Sequence, residues 1–144
     1  MKPSRRQARA DALQILYQLD FNHDLTPEAG LYHFERNFLQ SQKTTLDEFT
    51  QRLVTGVTRH LKEIDGLVHG VSERWRLDRM PVVDRNILRL GAFELNFCDD
   101  IPATVSINEM VELAKQFGSE SSPAFVNGLL DKIKAGLNRP GKAP

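Results

Sequence analysis

A chain of 144 residues is long enough to bury a sizeable core as one domain. Nineteen basic and nineteen acidic residues leave no formal net charge, which excludes a long-range pull of the whole molecule on nucleic acid or acidic membranes and leaves any such attraction to a local patch. The single Cys98 excludes an internal disulfide and a cysteine-based metal site, and no apolar run approaches membrane-spanning length, so a soluble, unprocessed cytoplasmic chain is expected.

The first predicted helix covers about residues 4–22, with Ser4 and Gln7 spaced as a capping box and Ala8, Ala12, Ile15, Leu16 and Leu19 at helical spacing. Thr26-Pro27 starts a short second helix carrying Leu31, Phe34 and Phe38, which SQKTT interrupts. Thr45 and Glu48 form another capping-box pattern, ahead of a helical stretch to about residue 74 that is expected to divide near residues 58–66. Pro81 closes the turn RWRLDRMP, and Val83, Ile87, Leu88, Gly91 and Leu95 stripe the helix after it. Ser106 with Glu109 predicts the next helix start, Gly118 its end, and Ser122-Pro123 the start of the last helix, with Val126, Leu129, Leu130, Ile133 and Leu137 on its apolar side. The fold class is therefore all-α with about seven helices, followed by a tail at residues 139–144 that has no core residues. Gly56, Gly91 and Gly128 fall inside helices beside apolar stripes, where close helix crossing would explain them.

The charge is polarised. Lys2, Arg5, Arg6 and Arg9 all precede the first acid, Asp11, so the rest of the chain is net negative. A helix N-terminus already carries roughly half a positive charge, which makes arginines there unfavourable unless something offsets them. They are either a solvated helix end or a phosphate site, in which basic side chains add to exposed N–H groups. A second helix start, FGSESSPAF, offers the hydroxyls of Ser119, Ser121 and Ser122 and the ring of Phe125, which is either a core aromatic or a stacking surface for a base. Enzyme readings find little support: His23, His33, His60 and His69 lack metal-site spacing, no carboxylate pair stands out, and Asp84 sits where the helix dipole favours an acid anyway.

RRQARADALQILYQ, VVDRNILRLGAFEL, IPATVSINEMVELAKQFG and SSPAFVNGLLDK together resemble the NusB family of bacterial transcription antitermination factors, in order and spacing and essentially from end to end. The resemblance implies two small helical bundles, at about residues 4–60 and 61–138, with no catalytic activity and no cofactor or metal. It implies that the chain pairs with NusE, a small-subunit ribosomal protein, on single-stranded boxA RNA. There it would modify the RNA polymerase elongation complex with other Nus factors, chiefly on rRNA operons. By that similarity RNA contact falls on Lys2, Arg5, Arg6, Arg9, Ser121 and Phe125, and a NusE-facing surface on Tyr17 and Asp84. Gln7 and Ser121 depart from the family pattern, standing where an arginine and an acid are familiar. Apolar helix faces suit a homodimer and a NusE complex equally, and no membrane partner is expected. Two other functions fit the same fold: a detached accessory domain of an rRNA-modifying system, and a helical interaction protein without RNA affinity.

Overall fold

The structure, a computed structural model, describes residues 3–72 and 75–137; Lys2 and the tail 139–144 lie outside the described residues. The described residues form seven α-helices and no strand. The chain makes two compact units, Met1–Arg59 and His60–Pro144.

In the first unit, α1 (Arg5–Phe21) starts at Ser4, whose Oγ accepts from the Gln7 N–H at 3.1 Å. Its stripe of Ala8, Ala12, Ile15 and Leu16 is buried as the spacing predicts. Helix α2 (Pro27–Phe34) starts at Thr26, whose Oγ1 accepts from the Ala29 N–H. It then runs into a π turn at Glu35–Leu39, where the Gln40 N–H reaches back five residues to the Glu35 carbonyl. The extra residue rotates the side chains beyond it, so Leu39 is buried and Phe38, expected in the core, is 43% exposed.

Helix α3 (Glu48–Arg59) buries Phe49, Leu53, Val54 and Val57. Its start is set by Asp47 and not by Thr45 as the sequence pattern suggested: Asp47 Oδ1 accepts from the Phe49 N–H at 2.7 Å, and its carbonyl from the Gln51 N–H. Thr50 Oγ1 donates to the Ala8 carbonyl at 3.0 Å, a buried bond that fixes α3 against α1.

The second unit begins at His60, where the helical stretch breaks. Helices α4 (Leu61–Val71), α6 (Ala103–Phe117) and α7 (Ser122–Gly136) surround α5 (Val82–Phe97), which is buried from Asn86 to Leu95. Three charged residues of α5 are buried, and each is tied to a different neighbour. Arg89 donates to both carboxylate oxygens of Asp65 on α4, at 2.8 and 3.0 Å. Glu94 Oε1 accepts from Ser106 Oγ on α6, and Asp84 Oδ1 from Ser122 Oγ on α7, at 2.8 and 2.7 Å.

These ties correct two expected helix starts. Helix α6 begins three residues before Ser106, directly after Pro102, and Ser106 is fully buried with its hydroxyl committed to Glu94. Ser122 is likewise buried inside α7, and Ser121 holds the capping position without a side-chain bond to the helix N–H groups. Gly118 closes α6 as expected, where a Cβ would lie 2.6 Å from Ser122 Oγ.

The helical glycines divide. A Cβ on Gly91 would stand 2.7 Å from a Leu130 methyl, so α7 can approach α5 only because that atom is missing. At Gly128 a Cβ meets nothing within 4 Å, so close helix crossing does not explain this position. Gly91→Val is expected to lower stability by about 1–3 kcal/mol through overpacking. Gly128→Ala should raise it by about 0.5–1 kcal/mol through helix propensity. Urea midpoints of the two variants should move in opposite directions.

Candidate nucleic-acid interface

The arginines of α1 do not share one environment. Arg5 and Arg6 are exposed, whereas Arg9 is only 3% exposed, which corrects the expectation that all of them face solvent. The cause is Phe49 on α3. Its ring lies 4.3 Å from the Arg5 guanidinium carbon and 5.1 Å from that of Arg9. An aromatic face attracts a cation by about 0.5–1 kcal/mol at an exposed site and about 2 when desolvated. That attraction offsets part of the repulsion from the dipole of α1, whose first turn holds no acid. Arg5 also lines a hollow of about 230 Å³ with Pro3, Asp47, Glu48, Phe49 and Arg52.

Gln7, which stands where the family familiarly has an arginine, turns along the helix and donates to Asp11 Oδ1 at 2.9 Å. Burial pushes the Asp11 carboxyl above its ordinary value of 3.8; the Gln7 bond works against this, and the nearby Asp47 charge adds to it.

Tyr17 is 40% exposed farther along α1, its ring 4.9 Å from that of Phe21, itself 64% exposed. Sequence reading passed over Phe21, although it lies four residues on from Tyr17, one helical turn away. Phe49, Arg52 and Trp75 were missed as well.

In the second unit Ser119, Ser121 and Ser122 come together ahead of α7. The Oγ atoms of Ser119 and Ser121 lie 3.2 Å apart, and Ser122 Oγ accepts from the Ser119 N–H. Phe125 is half-buried, with the exposed Trp75 ring edge to face against it at 6.1 Å. Asp84 is different: it is 5% exposed and accepts from Ser122, so its carboxylate ties the start of α7 to α5 and presents little surface. Among the described residues no group of histidines, cysteines and acids is arranged to hold a metal ion, and no helix is long and apolar enough to cross a membrane.

What the fold and these surfaces define is a small all-helical protein whose distinctive exposed chemistry is cationic and aromatic, suited to binding. The sequence pattern of the NusB family matches residues 6–135, and the chain belongs to that family of non-enzymatic transcription antitermination proteins. The transcription antitermination protein NusB of Myxococcus xanthus is 51% identical over 139 residues, covering 95% of this chain and 99% of its own. The structure of T. maritima NusB superposes with a TM-score of 0.84 at 36% identity, covering 99% of this chain and 98% of that one. A chain in a crystal structure of the antitermination factors NusB and NusE in complex with double-stranded RNA matches with a TM-score of 0.77 at 28% identity, over 92% and 97% of the two chains.

Two substitutions test the local assignments. The folded state holds the Asp11 proton more tightly than the unfolded chain, so ionising Asp11 costs stability above its raised pKa, and the cost vanishes below 3.8. Asp11→Asn should therefore be the more stable protein at neutral pH in urea titrations, with its advantage fading as pH falls through the raised pKa and gone below 3.8. Asp84→Ala leaves the buried Ser122 hydroxyl without its acceptor and should lower stability by about 1–3 kcal/mol. An unchanged urea midpoint would show that the bond to Ser122 does not hold the start of α7.

Proposed function

We propose that this chain is an RNA-binding adaptor that joins NusE on single-stranded boxA-type RNA and helps hold the RNA polymerase elongation complex, with other Nus factors, in an antiterminating state in the cytoplasm. The observation that carries the reading is the pair of exposed arginines, Arg5 and Arg6, at an electropositive helix start with Phe49 behind Arg5. A polyanion supplies the negative charge that this end of α1 lacks. The match to a NusB chain crystallised with NusE and RNA supports the choice of partners.

In this reading Arg5 and Arg6, with Lys2 ahead of them, meet phosphates. Arg9 contributes its field from behind Phe49 without direct contact. Ser121 and Phe125 meet RNA from the second unit, the former by hydroxyl and the latter by stacking. Tyr17, with Phe21 beside it, offers an exposed aromatic face to NusE, where Asp84 does not. So few phosphate contacts give weak binding alone, and a partner that adds RNA surface raises it by holding both on one complex.

The test is a titration of boxA RNA, single-stranded and duplex, with and without NusE across a salt series. Arg5→Glu/Arg6→Glu is the variant of choice, because Arg9→Glu would bury a carboxylate and damage the fold. For a single strand, losing two phosphate contacts should lower the magnitude of the slope of log K against log salt by about 1.4. Equal RNA binding by variant and wild type would remove RNA contact from this end, and no binding by either, with or without NusE, would favour a helical interaction protein without RNA affinity. Preference for the duplex would overturn the single-strand assignment.

A further inference from the structure

Between α4 and α7 of the second unit lies a hollow of about 410 Å³, lined by Val71, Ser72, Trp75, Phe125, Gly128 and Lys132 among others. Trp75 is 54% exposed and is the chain's one tryptophan. Its backbone is held in place: its N–H donates to the Ser72 carbonyl, and the Ser72 hydroxyl donates to its carbonyl at 2.9 Å. The edge-to-face contact with Phe125, at 74° between planes, leaves both faces of one ring uncommitted to the pair. Gly128 offers open space in the helix wall where a side chain would project. Lys132, exposed, places a cation at the hollow.

We infer that Trp75, Phe125 and Lys132 form a nucleobase cleft, in which an unpaired RNA base stacks on the tryptophan while Lys132 meets its phosphate. This rests on the RNA-binding reading above and extends it to Trp75 and Lys132, which that reading does not use. A base has both features the hollow addresses, a flat π face and an attached negative charge. An apolar peptide segment would leave Lys132 unmatched. The hollow is also continuous with Phe125, already assigned to RNA in that reading.

Because Trp75 is the sole tryptophan, its fluorescence reports on the cleft directly. Titration of the full chain with single-stranded boxA RNA should quench this emission saturably and in step with binding. The same oligonucleotide with abasic sites should bind with little quenching. Trp75→Leu should weaken RNA binding about five- to 150-fold, as expected for one lost base stack, without changing the salt slope, and Trp75→Phe should recover most of it. Gly128→Leu fills the hollow without removing either ring; it should be at least as thermally stable as the wild type while losing affinity.

Wild-type affinity in Trp75→Leu and Gly128→Leu would overturn the cleft. So would quenching by NusE alone to which RNA adds nothing, since that would make the hollow a protein-docking face. Failure of the cleft with a salt slope still sensitive to Arg5 and Arg6 leaves the adaptor reading standing. Absence of RNA binding by the wild type removes both.

Discussion

Burying a charged side chain is tolerable only when a partner replaces the water it loses, and α5 buries three of them. Arg89, Glu94 and Asp84 each take that partner from a different helix: Asp65 of α4, Ser106 of α6 and Ser122 of α7. Apolar packing alone permits neighbouring helices to slide by a residue or a turn with modest loss. A carboxylate and a hydroxyl at 2.7 Å allow no such slide, because a slipped register leaves a buried charge unmatched. The register of the second unit is therefore set by three polar points around one helix, with the leucine and isoleucine surfaces filling the space between them. Even the start of α7, and with it the position of Ser121 and Phe125, depends on Asp84.

In the first unit the comparable device is aromatic. The ring of Phe49 accommodates two guanidinium groups that the dipole of α1 disfavours, one exposed and one nearly sealed. Holding Arg5 near a ring limits the rotamers it samples, so less freedom is lost when it meets a ligand. The unusual charge at this helix start is thus supported from α3, and α3 is itself pinned by the Thr50 bond to the Ala8 carbonyl.

Periodicity made the helices and most of the core legible: Ala8, Ala12, Ile15, Ile87, Leu88 and Leu130 are all buried where their spacing puts them. Helix starts were harder to read because a Ser or Thr three residues before an acid, or directly before a proline, can cap a helix or serve a tertiary bond equally well. Ser106 and Ser122 took the tertiary bonds, while Asp47 took the cap assigned to Thr45. The arginine-rich site was visible as a cluster of like charge, but the burial of Arg9 was not, since Phe49 is forty residues away in sequence and no local rule couples them. Asp84 shows the opposite case: its position at a helix start already explained an acid, and its bond to Ser122 keeps that explanation internal. Trp75 left only a weak signal, a large aromatic in a turn between helices where a core role is hard to satisfy.

The turn at Glu35–Leu39 acts as a frameshift in three dimensions. A regular helix advances by roughly 100° per residue, so one surplus residue swings every later side chain by about that angle while leaving Leu31 and Phe34 untouched. Length variation in the chain can be absorbed at this point without unpicking the packing on either side. A single deletion there would restore a regular helix and keep Leu39 facing inward, whereas a regular helix through all the residues present would turn Phe38 inward in its place.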